Sequence, residues 1–445
     1  MLRKLTLLSL LAGTALTAAT PAAAQDSDAI AAEIAAMRAK IESLEAKVKE
    51  LEGAKAAVVP SWKGALQFSD KDKGWSFKPR GRLQYDVAHV GSPDGVSDPG
   101  LGFSNELRRA RLGVEGTIPG GFGYKFELDF ADNEVEITDA ILTYDATDSL
   151  GLTIGQHNGF QSLEELTSSR FTSFIERAAF TDAFNFERRV GFSANYSAGD
   201  LLLQGGVFTD NIDQLSDSGD GTGLGDENNS VGADLRAVYA PKLGSTQLHL
   251  GGSAHWRDTG DTVDNGVTTR YRQRPFVHTS NSRFLATPAL AVEDEMHYGL
   301  EAALIQGPFH AAGEVHWLKA DRIGSDPSAN FFGGYAEVGY YLTGETRGYK
   351  GGTFDRTKVL SPVGEGGFGA VQLNLRYDHA DLSDNGIIGG KQSGYEASLI
   401  WIPQDYVRFL LNYARLSYDD AAIAAAGGDR DYGIDVIAAR AQIDF

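Results

Sequence analysis

The sequence has no cysteine, which excludes a disulfide framework and any thiolate metal site. Beyond its first two dozen residues it has no run of 18 or more apolar residues, so no spanning helix is expected. Basic residues are in the minority. Against 60 aspartates and glutamates stand 40 lysines and arginines, for a formal net charge of −20, and no nucleic-acid partner is expected. The histidines show no compact ligand spacing, and His249, His255, His310 and His316 fall in strand-like stretches, so no metal is expected. Catalytic signals are missing too. The serines of "LTSSRF" (166–171) have no nucleophile elbow and no base beside them. The glycine run "GDGTGLG" is followed by neither a helix nor a parallel sheet. Its surroundings, "DSGDGTGLGDENN" (217–229), lack the spacing of a calcium loop. They read as a solvated loop, or as one bridged to lipid headgroups by divalent ions. Neither an enzyme nor a cofactor-binding protein is expected.

The chain opens with "MLRKLTLLSLLAGTALTAATPAAAQ". Arg3 and Lys4 precede the apolar stretch Leu5 to Ala19, and Ala22, Ala23 and Ala24 suit signal peptidase. Residues 1–24 read as a secretory signal peptide, the apolar core being short for a retained membrane helix. The mature chain then begins at or near Gln25. Cleavage removes two positive charges and no negative one, taking −20 to −22. Residues 26–53 read as a helix ended by Gly53. Ile30, Ile34, Met37, Ile41, Leu44, Val48 and Leu51 alternate four- and three-residue steps. Such a narrow heptad stripe argues for a coiled coil by self-association, and its β-branched and leucine positions slightly favour two strands. Residues 54–74 read as a linker.

From Trp75 to Phe445 the chain alternates. In "WSFKPRGRLQYDV", Trp75, Phe77, Leu83, Tyr85 and Val87 share one face, and Lys78, Arg80, Arg82, Gln84 and Asp86 the other. Sixteen such segments begin near residues 75, 107, 122, 135, 152, 190, 201, 231, 246, 296, 309, 332, 370, 395, 406 and 434. An even number of antiparallel strands, apolar outside and polar inside, is the pattern of an all-β outer-membrane barrel. Lipid tolerates no open sheet edge, so the sheet closes, and sixteen strands enclose a water-filled lumen. Fully charged polar faces, a terminal phenylalanine and short turns at one side count against a soluble sandwich. Those turns (119–121, 197–200, 241–245, 306–308 and 403–405) are expected in the periplasm. The long connections 89–104, 158–188, 209–230, 258–295 and 418–432 are expected outside the cell. Residues 344–367 break the rule, being long on the short-turn side. Arg347, Lys350, Arg356 and Lys358 suggest that this segment folds into the lumen.

Alternation points Lys78, Arg80, Arg82, Arg109, Arg111, Lys125, Arg189, Arg236 and Arg376 inward, with Glu115, Glu127 and Asp129 on the same faces. A second cationic set stands in "TTRYRQRPF" (268–276). Residues two apart in an extended chain point the same way, so Arg270, Arg272 and Arg274 form a row about 13 Å long at about 3.3 Å per residue. Pro275 holds it extended.

The stretches "GRLQYD", "ELRRARLGVEG", "ITDAILTY", "LEELTSSRFTSFIERA", "YRQRPF", "YYLTGETRGYKGGTF" and "GYEASLIWIPQDYVRFLLNYARLSY" together resemble the phosphate-selective porins of the O/P type. The resemblance implies a sixteen-stranded homotrimeric barrel in the Gram-negative outer membrane, taking up phosphate, polyphosphate or other small anions past an inward-folded loop. It implies an arginine ladder at Arg270, Arg272 and Arg274, extended by Arg283. It further implies a central site at Arg108 and Arg109 with Arg170, Ser173 and Asp139, and an assembly signal at Phe445. Lys78, Arg80, Arg82, Arg111 and Lys125 are expected as further lumen cations. A general anion-diffusion porin, its periplasmic coiled coil acting as a spacer or tether to the cell wall, is the alternative.

Overall fold

A computed structural model describes residues 26–53, 59–62, 64–70, 72–212, 230–260 and 268–445. The expected signal peptide, the new N-terminus at Gln25 and the acidic loop 217–229 lie outside the described residues. The chain divides into two units, residues 1–57 and 58–445. The described part of the first is one helix, Asp26–Gly53.

The second unit is a closed antiparallel barrel of sixteen strands. In chain order they are β1 (Trp75–Val90), β2 (Gly102–Ile118), β3 (Phe122–Asp129), β4 (Glu136–Asp145), β5 (Leu150–Asn158), β6 (Arg188–Ala198), β7 (Leu201–Phe208) and β8 (Val231–Tyr239). They continue as β9 (Thr246–Asp258), β10 (Val292–Gln306), β11 (Phe309–Arg322), β12 (Ala329–Tyr341), β13 (Ala370–Asp384), β14 (Ile387–Gln404), β15 (Val407–Asp419) and β16 (Tyr432–Asp444). Each pairs with the next, and β16 returns to β1 with Arg440 opposite Asp86 and Asp444 opposite Arg82. Closure removes the edges that lipid cannot hydrogen-bond. Part of the stretch expected as a linker also joins the sheet. Val59–Trp62 pairs with Leu66–Asp70, which pairs with the start of β1.

Side chains alternate as the sequence requires. Leu83, Tyr85, Leu112, Phe126, Leu235, Leu250, Tyr298 and Leu411 face outward and are exposed in the isolated chain, as an apolar belt is. Arg82, Gln84, Asp86, Arg111 and Glu127 face inward and are buried. The terminal Phe445 lies across β1, where its ring would collide with any Cβ on Gly81.

The lumen is partly filled. Residues 159–187, between β5 and β6, cross it and dock on the far wall. Glu314 accepts from the amides of Leu163 (2.9 Å) and Glu164 (2.8 Å), Asp378 from Ala179 (3.0 Å) and Asp234 from Phe160 (2.7 Å). Arg408 donates to the carbonyl of Thr172 (2.8 Å) and Arg440 to that of Ile175 (2.7 Å). Phe180 is fully buried, stacked on His316 and seated over Gly333, where a Cβ would clash with it. Arg376 bonds Glu164 and Glu337 and lies between the rings of Phe174 and Tyr335. Residues 342–369 fold in from the short-turn end. Arg347 reaches Glu337 (3.0 Å), the carbonyl of Gly352 accepts from Arg236 (2.8 Å), and the amide of Phe354 donates to Thr167 (3.2 Å).

Breaking a buried ion pair costs about 3–5 kcal/mol because a charge is left uncompensated. Arg376→Met should therefore lower unfolding stability by that order and free the 159–187 segment. Thermal unfolding in detergent, with single-channel conductance, should show a lower midpoint and a wider pore. An unchanged midpoint and conductance would contradict the anchoring role.

Candidate pore-lining site

Docking the loop divides the wall by charge. On β8 and β10–β14 the inward acids are engaged. Asp234, Glu314 and Asp378 hold loop amides, while Glu301 pairs with Arg236 (2.7 Å) and Glu337 with Arg347 and Arg376. The wall of β1–β6 faces open space and carries most of the basic groups.

Two β-bulges concentrate charge there. At the first, Gln84 pairs with Arg109 but Tyr85 with Leu107, leaving Arg108 as the extra residue. Strict alternation would put Arg108 and Arg109 on opposite faces. Instead Arg108 binds the lumen loop through Glu176 (2.9 Å) and Arg109 receives Gln84 as acceptor (2.9 Å). At the second, Glu127 pairs with Asp139 and Leu128 with Ile137. Thr138 and Asp139 are both buried there.

Three spaces follow from the long-loop end inward. An outer vestibule of about 690 Å³ is lined by Arg270, Arg272, Arg283 and Arg430, with Asp420 as its single acid among the described residues. The arginine row is extended as its sequence requires. Arg270 and Arg272 are exposed to the vestibule, while Tyr271 and Gln273 turn into the wall. Tyr271 donates to Glu295 (2.5 Å) and Gln273 bonds Gln392. A middle cavity of about 270 Å³ holds four basic residues (Arg108, Arg177, Arg188, Arg274) and five acidic ones (Glu136, Glu165, Glu176, Asp182, Glu187). Arg283 (2.8 Å) and Arg274 (3.8 Å) converge on Asp182 at its mouth. An inner cavity of about 280 Å³ follows, sharing Glu165, Arg177 and Arg188 with the middle one. Arg80, Arg82, Arg109, Arg111 and Lys125 line it from the wall, and Arg170, Arg177 and Arg188 complete eight basic residues against Glu127, Asp139 and Glu165.

Several expected residues therefore meet. Arg82 donates to Ser169 of the lumen loop (2.8 Å), and Asp139 lies between Lys125 (2.5 Å) and Arg188 (3.3 Å). Lys78 stands lower, 3.8 Å from Glu115, which also binds Arg80. Other expectations need correction. Ser173 is buried on the far wall, its hydroxyl donating to Glu337 (2.8 Å), and does not line these spaces. Arg108 lines the middle cavity while paired with Glu176. Arg347 and Arg356 anchor their segment to Glu337 and Asp444, so two of its four cations are structural. Sequence reasoning missed Arg177, Arg188, Arg430, Glu165 and Asp182. Arg188 was within reach in the "RR" pair (188–189), because a strand's first residue need not obey its alternation. Arg177 and Arg430 sit on loops, and Glu165 and Asp182 on short helical turns (Leu163–Leu166 and Ala179–Ala183), all too short for a periodicity to assign a face.

The comparisons with known proteins agree with this architecture. Residues 77–445 match the family model "Phosphate-selective porin O and P". The chain belongs to that porin family. An uncharacterized protein of Caulobacter vibrioides is 55% identical over 396 residues, covering 88% of this chain and 79% of its own. Porin O of Pseudomonas aeruginosa is 28% identical over 422 residues, covering 84% of this chain and 90% of its own. The solved anion-selective porin from Comamonas acidovorans shares the fold at 15% identity, with a TM-score of 0.51, over 83% of this chain and all (100%) of that one. The porin is thus an outer-membrane channel, and the spaces above are its lumen.

Two loop acids in that lumen are set differently. Burial alone would raise Glu176, but Arg108, Arg440 and Arg109 hold its carboxyl well below the usual range. Glu165 is raised by burial, only partly offset by Arg177, Arg188 and Arg109. A raised acid takes up its proton at a higher pH than usual. As pH falls through that range, the middle and inner cavities lose one negative charge, so anion preference should rise. Reversal potentials measured as pH is lowered should shift accordingly, at a higher pH than for an ordinary carboxylate, and Glu165→Gln should remove the shift. A pH dependence unchanged in Glu165→Gln would contradict this role.

Proposed function

We propose that this porin is an anion-selective channel for passive uptake of inorganic phosphate or polyphosphate, with the arginine row as its outer collector. The observation that carries the reading is the inner cavity, where eight basic side chains face three acids in a protein that is acidic overall. The exposed pair Arg270 and Arg272 supports an approach path. Guanidinium forks match phosphate oxygens two at a time, which a point-charge ammonium does not. Low-dielectric walls focus the field of such a set. Several modest sites also suit conduction, since an ion held tightly at one site does not leave. The mixed middle cavity, where Asp182 engages Arg274 and Arg283, is the step between the two basic zones. The family's description as phosphate-selective agrees with this chemistry. The porin works as a homotrimer with its helix in the periplasm. The exposed heptad stripe of that helix supports self-association.

Changing Arg270, Arg272 and Arg274 together to glutamine tests the row. Anion-over-cation preference should fall, and phosphate should lose its block of chloride current. The loss should be larger at low salt, because the Debye length is about 30 Å at 0.01 M and about 3 Å at 1 M. Wild-type phosphate block in the triple variant at every salt concentration would sink the row as a pathway. The general anion-diffusion reading would be favoured if chloride and phosphate carried current alike in the wild type.

A further inference from the structure

The helix Asp26–Gly53 carries an apolar stripe uncovered within its own unit. Ile34 is 44% exposed, and Met37, Ile41 and Leu44 are each 54% exposed. Charged residues flank the stripe in a fixed order. With Ile34 and Ile41 at position a of the heptad and Met37 and Leu44 at d, Glu33 and Lys40 occupy g, and Arg38 and Glu45 occupy e. In a parallel, in-register coiled coil, each g residue meets the e residue of the neighbour's next heptad. Glu33 then meets Arg38 and Lys40 meets Glu45, both of opposite charge. The sequence repeats the second charge order at Lys47 and Glu52. An antiparallel pair centred on the same stripe sets Lys40 against Lys40 and Arg38 against Arg38, and only Glu33 against Lys47 attracts.

We infer that the helix is a homotypic clamp. The occupant of its stripe is the same helix of another copy of this chain, parallel and in register, with the g-to-e ion pairs fixing direction. Symmetry supports the same answer. Rings of identical subunits close by rotation about one axis, and rotation about an axis normal to the membrane superimposes only helices that point the same way. The inference rests on the self-assembly proposed above and is independent of the anion pathway.

Because the chain has no cysteine, single cysteines report on it cleanly. Met37→Cys, Leu44→Cys and, on the outer side of the helix, Ala39→Cys would be placed in the full-length protein. After mild oxidation, cross-linked chains would be read on denaturing gels, with native size measured in parallel. Met37→Cys and Leu44→Cys should both cross-link, and Ala39→Cys should not. Lys40→Glu should reduce the Leu44→Cys cross-link severalfold, and Lys40→Glu with Glu45→Lys should restore it. Cross-linking at only one of the two stripe positions, equally at all three, or at none in an intact oligomer would overturn the clamp while leaving the assembly reading standing. A monomer without cross-links would overturn both. Failure of the charge swap to restore the cross-link would overturn the ion-pair assignment.

Discussion

The seating of the 159–187 loop on the far wall governs the lumen. Backbone amides of this loop need acceptors once they leave water, and Glu314, Asp378 and Asp234 supply them. Arg376 ties Glu164 of the loop to Glu337 of the wall, so loop and barrel share one buried ionic network. Aromatic packing around Phe180 and Phe174 excludes water from the seat. The contact fixes where open space remains, and hence which side chains line it.

The same contact accounts for an apparent contradiction. An acidic chain is a poor candidate for passing anions if its charges are spread evenly through the lumen. Here Glu301, Glu314, Glu337 and Asp378 of β10–β13 are buried, each matched to a loop amide or a guanidinium. The basic groups of β1–β6 stay at the open side. Net charge describes the whole molecule, whereas a permeating ion meets the local field. The segment 342–369 contributes in the same sense, since Arg347 adds to the cover over Glu337 and narrows the short-turn end.

Strands were legible in the sequence because a half-lipid, half-water wall enforces a period of two. Leu235 outside and Arg236 inside follow from that alone. The alternation of Arg270, Tyr271, Arg272 and Gln273 was legible because an extended chain turns successive side chains to opposite faces, although it lies in a loop. Arg108 shows the limit. A bulge turns two neighbours to one side, and no local pattern announces it. Ser173 shows another limit, because its partner Glu337 is distant in sequence and reached only through the fold. Asp182 and Glu165 were invisible for want of any periodicity, yet both stand where the passage is most mixed in charge.

The central claim is that the docked loops cover the acids and leave a cationic passage. The reversal potential of the wild-type channel under a potassium chloride gradient tests it most directly. The account predicts that chloride carries the larger share of the current despite the negative net charge. A reversal potential of the opposite sign, with potassium preferred, would contradict it.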